Sequence, residues 1–184
     1  MSTGYSANSS LRRVQVIADY QFCGGCGPGL FPEGCTFILS TTGRVRQVVF
    51  AGQRIATVRA SDGRLTLGIE GARRLLAALP APAYRVVIRE DVTAFIAQGK
   101  NVFAKHVTAA DPAIRAGDEV LVVGAGDRLV ACGAAVFSGP EMLAFNYGAA
   151  VRVRQGSDHH ASGKYQSPPD EGDDEEARHE CRAD

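Results

Sequence analysis

The sequence predicts an α+β protein built from two small modules and an acidic tail. Three observations carry this. Residues 36–67 read as a meander of short strands separated by turn signals, and a helical period appears directly after it, over residues 68–79. Residues 84–155 read as a second set of strands enclosing two short helices. From residue 156 to residue 184 hydrophobic periodicity stops and acid accumulates, which predicts disorder.

Taken in order, residues 1–11 are polar and are expected to be mobile. Val14, Val16 and Ala18 alternate and suggest a first strand, and Gly24, Gly25, Gly27, Pro28 and Gly29 suggest a flexible loop. Strands follow at 36–39, 45–50, 55–59 and 65–67. Turns fall at 41–43, at Gly52, and at Asp62 and Gly63, a strong hairpin pair. Ile69, Ala72, Leu75, Leu76 and Leu79 share one helical face, and Pro80 and Pro82 stop that helix. These prolines divide a first module, 12–80, from a second, 84–155.

The second module opens with a strand at 84–88, and Asp91 is placed to cap a short helix, 92–97, that ends at Gly99. Residues 101–107 read as the next strand. Turns at 111–112 and 116–118 lead into a hairpin, 119–123 and 129–137, joined through Gly124 and Gly126. Ser138, with Glu141 three residues on, marks the start of a helix whose apolar side is Met142, Leu143 and Phe145. Gly148 ends it before a last strand at 149–154.

Composition bounds the function classes. The chain has 184 residues and is 45% hydrophobic, enough for a buried core. No apolar run approaches the roughly 18 residues that cross a bilayer, and the first ten residues lack a signal-peptide core. A cytoplasmic protein without a membrane partner is expected. The formal net charge of zero conceals segregation: residues 155–184 hold nine acids and three bases, leaving 17 bases against 11 acids in residues 1–154. A basic body suggests a polyanion partner, and the acidic tail is either a competitor for the same surface or a solubilising extension. Apart from Lys100, Lys105 and Lys164 every basic residue is arginine, which fits phosphate recognition and a GC-rich genome equally.

The second module carries a recognisable series of motifs. Gly99-Lys100-Asn101-Val102-Phe103-Ala104-Lys105-His106-Val107 resembles the PUA-domain segment in which a short helix ends at glycine and a strand follows. Ile114-Arg115-Ala116-Gly117-Asp118-Glu119-Val120 resembles its I-x-x-G-D-x-V element, Ala131-Cys132-Gly133-Ala134 its A-x-G strand, and Ser138 through Val151 its second helix and closing strand. The first module is similar to the small module that precedes PUA in archaeal tRNA-guanine transglycosylases and related archaeosine-forming enzymes. This likeness rests on Arg44-Val45-Arg46-Gln47-Val48, Ala60-Ser61-Asp62-Gly63 and the helix from Leu67 to Leu75. The resemblance implies a PUA-type pseudo-barrel that binds structured RNA, tRNA above all, as a relative of the C-terminal half of such an enzyme. A transglycosylase barrel needs about 250 residues, and only residues 1–83 precede the PUA-like region. The expectation is therefore a non-catalytic RNA-binding protein accessory to tRNA base modification. The alternative is the RNA-binding subunit of a split enzyme, working with a catalytic partner.

In PUA domains the first helix, the loop after it and the following strand form the RNA surface, so Gly99, Lys100, Asn101 and Lys105 map onto it. Strand alternation puts Asn101, Phe103 and Lys105 on one side, where Phe103 either stacks on an unpaired base or packs in the barrel. Arg152 and Arg154 alternate with Val151 and Val153, and face outward either toward phosphate or as an ordinary solvated face. Arg73, Arg74, Arg44 and Arg46 are candidates to extend the track.

Cys23, Cys26 and Cys35 stand in a glycine-rich segment and form the one rival signal, for a small zinc or redox protein. A structural zinc site needs a fourth ligand, and no second C-x-x-C exists. Five cysteines, an odd count, without a secretory signal argue against a disulfide framework. The Val122–Gly126 stretch imitates the start of a dinucleotide loop but lacks the third glycine and the following helix. No cofactor and no catalytic set is expected.

Overall fold

The structure, a computed structural model, describes residues 3–158. It opens with a helix, α1 (Thr3–Gln21), where the sequence led to a mobile terminus and a strand. The cause of the difference is a longer period: Val14, Ala18 and Phe22 recur every four residues and are buried, whereas Val16 is exposed. The polar residues before Leu11 hide this period from a short window. The glycine-rich segment is also folded. It contains a single helical turn, α2 (Gly27–Leu30), held by Asp19 Oδ1 accepting the Gly27 N–H at 2.6 Å. A Cβ on Gly27 would stand 2.5 Å from the Gln15 carbonyl, so this glycine permits close packing of α1 on α2.

The meander forms as expected: β1 (Thr36–Leu39), β2 (Val45–Phe50), β3 (Gln53–Val58) and β4 (Leu65–Leu67) pair antiparallel in that order. Helix α3 (Ile69–Ala78) follows and buries Ile69, Ala72 and Leu75.

The second sheet takes the order β6-β10-β9-β8-β5-β7. Its strands are β5 (Arg85–Ile88), β6 (Val102–Phe103), β7 (Val107–Ala110), β8 (Glu119–Val123), β9 (Leu129–Ala135) and β10 (Ala149–Gly156). All neighbours are antiparallel except β5 and β8. The two edge strands, β6 and β7, are consecutive in the chain and are separated by the single 3₁₀ turn Ala104–His106. So short a link draws the edges together, and the sheet curls into the nearly closed pseudo-barrel expected of a PUA fold. The same turn corrects the reading of 101–107 as one strand: Ala104 is buried and donates its N–H to the Gly148 carbonyl at 3.0 Å, so alternation does not carry past Phe103.

Two short helices close the barrel ends. Helix α4 (Thr93–Ala97) follows a 3₁₀ turn, Glu90–Val92, and has no side-chain cap. Asp91, expected to cap it, instead binds the Arg89 guanidinium at 2.8 Å. Gly99, at φ +92°, ends this segment in the left-handed conformation that favours glycine. Helix α5 (Gly139–Ala144) does have the anticipated start: Glu141 Oε2 accepts the Ser138 N–H at 2.8 Å. Its apolar side is narrower than expected, since Met142 is buried but Leu143 and Phe145 are exposed.

The two halves share a core. Leu121 and Cys132 of the barrel pack in one cluster with Val14, Phe22, Leu65, Leu67 and Leu75. Polar ties accompany them. The Leu67 N–H donates to Glu119 Oε1 at 2.9 Å, the Cys132 thiol to the Leu67 carbonyl at 3.4 Å, and the Tyr84 hydroxyl to the Gln21 carbonyl at 2.8 Å. A buried apolar seam crossed by directional bonds holds the halves as one body. Among the described residues no helix is long and apolar enough to cross a membrane.

Candidate nucleic-acid interface

The sheet edge at β6 and its neighbour β10 positions the predicted residues. Phe103 lies opposite Ala149, and Val102 opposite Val151. Upstream, the Lys100 N–H donates to the Phe95 carbonyl at 3.3 Å, which sets Lys100 at the end of α4, and Phe95 is itself 62% exposed. Downstream, the Ala104 bond to Gly148 lays the turn carrying Lys105 beside Tyr147. The result is a strip running from Phe95 and Lys100, past Phe103, to Lys105 and Tyr147.

Each predicted residue has a definite place in this strip or outside it. Lys100 and Lys105 are exposed and have no acidic partner among the described residues. Phe103 is 47% exposed, which decides between the two readings left open: the ring faces solvent and does not fill the barrel. Asn101 is exposed, but its Oδ1 accepts the Val153 N–H at 3.0 Å, so it anchors β10 to the start of β6. Arg152 is exposed and has no acidic partner among the described residues.

Arg154 departs from expectation. The pairing shifts from Val153 opposite Gly133 to Gln155 opposite Cys132, a bulge at Arg154. Its guanidinium binds both oxygens of Glu119 at 2.5 Å. Arg152 and Arg154 are therefore not an outward pair. Burial pushes the Glu119 carboxyl above the usual carboxylate range, against the opposing pull of Arg154. Arg73 and Arg74 do not extend the track either, because both bind Glu70, at 2.8 and 3.1 Å, and Arg74 also lies over the Phe50 ring. Arg44 and Arg46 are exposed without an acidic partner among the described residues.

Three aromatic residues were missed. Tyr147 is 79% exposed and stacks on Phe145 with ring centroids 6.2 Å apart and planes at 19°, while Phe145 meets Phe137 edge-on. Phe95 completes the set. The available signal was the bunching of Phe145 and Tyr147 around a helix end, where helical periodicity assigned Phe145 to the apolar side.

Cys23, Cys26, Cys35 and Cys132 are free thiols. Cys26 is buried and donates to the Ala18 carbonyl at 3.4 Å. Burial pushes the Cys26 thiol up to about 11 and the Cys132 thiol up to about 12, and raises Cys35 as well. Thiols shifted in this direction are poor nucleophiles at neutral pH. Among the described residues no three His, Cys, Asp or Glu side chains converge on a point that would hold a metal. The histidine pair at 159–160 and the acidic tail lie outside the described residues.

Comparison with known proteins agrees with this geometry. Residues 12–82 match the patch-forming domain C2 of tRNA-guanine transglycosylase, and residues 84–156 match the PUA domain. The chain is thus a PUA-domain protein in which a C2 domain precedes the barrel. More particularly, it resembles the C-terminal part of the archaeal tRNA-guanine transglycosylases. It is 51% identical over 148 residues to the tRNA-guanine(15) transglycosylase of Pyrococcus abyssi, covering 80% of this chain and 25% of that protein. The corresponding protein of Methanothermobacter thermautotrophicus is 45% identical over 147 residues, covering 79% and 22%. The chain therefore spans about a quarter of the length of the curated relatives it matches, less than the half that the motifs implied. The fold is shared with a hypothetical protein of Pyrococcus horikoshii at a TM-score of 0.63, 20% identity, and coverage of 81% and 90%. It is shared also with a PUA domain protein of Thermoplasma acidophilum at 0.57, 18% identity, and coverage of 82% and 89%.

Proposed function

We propose that this chain binds structured RNA through its PUA half, with tRNA as the RNA class, and is accessory to tRNA base modification without itself exchanging the base. One observation carries the reading. The only two lysines of residues 1–154, Lys100 and Lys105, both lie on the β6 edge, exposed and without acidic partners among the described residues, with the open Phe103 ring between them. The C2–PUA pair is shared with relatives whose names specify tRNA, which supports the choice of RNA. Lys100, Lys105 and Arg152 meet phosphates, Gly99 lets the chain approach the sugar-phosphate backbone closely, and Phe103 offers a face to an unpaired base. Asn101 acts indirectly, by holding β10 in register. Arg154 is left out of the surface because Glu119 engages it.

The test is a titration of bulk tRNA and of a blunt RNA duplex between 50 and 200 mM salt, with the acidic tail neutralised so that it does not interfere. Lys100→Ala and Lys105→Ala should each flatten the salt slope by about one unit. Phe103→Ala should weaken tRNA binding by about 1–3 kcal/mol and leave duplex binding nearly unchanged. A body that ignores tRNA at the lowest salt overturns the proposal. A second reading, a subunit of a split transglycosylase, draws on the quarter-length match. It requires a catalytic partner that co-purifies with the chain and exchanges the base more efficiently in its presence.

A further inference from the structure

The β10 strand delivers the chain to a specific place. Gly156 packs so tightly on the end of α4 that a Cβ there would stand 2.0 Å from the Ala97 carbonyl oxygen and 2.9 Å from the Gly99 nitrogen. Gly156 therefore lies next to Gly99, and the described chain ends two residues later, at residue 158. Twelve residues further along, the sequence 170–176 holds six acids in seven positions: Asp170, Glu171, Asp173, Asp174, Glu175 and Glu176. Twelve residues span at most about 40 Å. Eight residues of β10 span roughly 26 Å, so the acidic run is within reach of the whole strip from Lys100 to Lys105. The cations there lack carboxylate partners among the described residues, whereas eight arginines elsewhere have them.

We infer that the acidic run 170–176 occupies the Lys100–Lys105 surface when no polyanion is bound, and so acts as a built-in competitor that RNA must displace. The inference rests on that surface being the polyanion site proposed above. Charge complementarity and the point of departure argue for this occupant over a second chain, because a tethered segment is present at an effective concentration of order millimolar. A polyanion-like segment with an intrinsic dissociation constant near 10⁻⁴ M, typical of non-specific charge contacts, then covers about nine-tenths of the surfaces. Apparent RNA affinity falls about tenfold in consequence. Weak polyanions are excluded and strong ones admitted, which sharpens selectivity without a new contact to RNA.

The experiment compares the full chain with a full-length variant carrying Asp170→Asn, Glu171→Gln, Asp173→Asn, Asp174→Asn, Glu175→Gln and Glu176→Gln. Heparin serves as the sequence-free probe and bulk tRNA as the second probe. At 50 mM salt the variant should bind heparin about tenfold tighter, and at 300 mM salt the gap should close, since screening weakens both competitors. Without any ligand, amide spectra of the two proteins should differ at low salt mainly over residues 99–105. Equal heparin affinity overturns the inference, and so do spectral differences spread evenly over the body, which would report only an altered net charge. If the variant gains heparin affinity but neither protein binds tRNA, the tail inference stands and the RNA reading alone is lost.

Discussion

Arg85 lies within the first strand of the barrel, yet it bonds mainly to the segment that precedes the barrel. Its side chain is 6% exposed and every guanidinium N–H is engaged. Nε donates to both Asp127 oxygens at 2.8 and 3.0 Å. Nη1 donates to the Pro80 and Ala83 carbonyls, both at 3.1 Å, and Nη2 to the Leu76 and Leu79 carbonyls at 3.1 and 3.0 Å. The last two are carbonyls at the end of α3, where a positive charge also complements the helix dipole. Arg85→Ala would take a donor from four backbone carbonyls, of which the Leu79 carbonyl is the buried one and the Pro80 carbonyl keeps the Ala83 N–H, and from one part-exposed carboxylate. Each buried acceptor left without a donor costs about 1–3 kcal/mol, part-buried acceptors cost less, and truncating a side chain that is 6% exposed also forfeits its packing. We expect a loss of about 3–5 kcal/mol, a large part of the 5–15 kcal/mol typical of a whole domain. Arg85→Met fills the volume but cannot be neutral, because the acceptors are backbone and stay in place. Asp127→Ala should cost at most about 1 kcal/mol, since that carboxylate is 44% exposed and the four carbonyl bonds survive. Urea unfolding decides the matter. With a slope of about 2 kcal/mol per molar, Arg85→Ala should lower the midpoint by about 2 M. Equal midpoints for Arg85→Ala and Asp127→Ala would refute the reasoning.

Three further outcomes follow from the packing. Glu119 has a carboxyl raised by burial, so its charged form is disfavoured in the folded state. Relative to Glu119→Gln, the wild type should lose stability as pH rises from about 4.3, the unfolded value, through the higher folded value. Comparing urea midpoints of the two proteins from pH 4 to 7 isolates this one group, and a constant difference would contradict it. Gly133→Ala places a Cβ 2.2 Å from the Arg152 carbonyl oxygen and should destabilise by about 1–3 kcal/mol. Gly24→Ala meets nothing within 4 Å and should be neutral or stabilise by up to about 1 kcal/mol. Thermal melts of the pair test whether close backbone approach is the cause. Thiol titration of the native protein at pH 7 should find Cys26 and Cys132 unreactive, and rapid labelling of either would contradict their burial.

The meander and α3 were legible because their signals are local. Turn dipeptides bracket strands of matching length, and the period of α3 persists for three turns with a proline stop. Helix α1 was missed because its apolar stripe begins only at Leu11, after turns whose serines and asparagine resemble a free terminus. The site was harder to read, because its decisive facts are non-local. Nothing near Asn101 shows that it will bind the Val153 N–H, 52 residues away. Nothing near Arg154 marks a bulge, and one inserted residue breaks the alternation on which outward pairing depends. Strand alternation put Phe103 on the side of Asn101 but left its exposure open, and the strand ends at Phe103 itself.

The distribution of cations explains why composition alone was ambiguous. Residues 1–154 hold fifteen arginines and two lysines, and eight of the arginines form intramolecular ion pairs. Arginine suits that use, since its planar fork satisfies several acceptors at once, as Arg85 does at the seam between the halves. Much of the arginine excess is therefore structural, and the basic character that remains for a partner is smaller and more local than the net charge implies. Lysine, a compact and mobile charge poorly suited to such forks, is absent from the seam and, among the described residues, found only at the β6 edge. If that division of labour is correct, exchanging Lys100 and Lys105 for arginine should preserve polyanion binding, whereas Arg85→Lys should still destabilise the fold, because three donors cannot replace five.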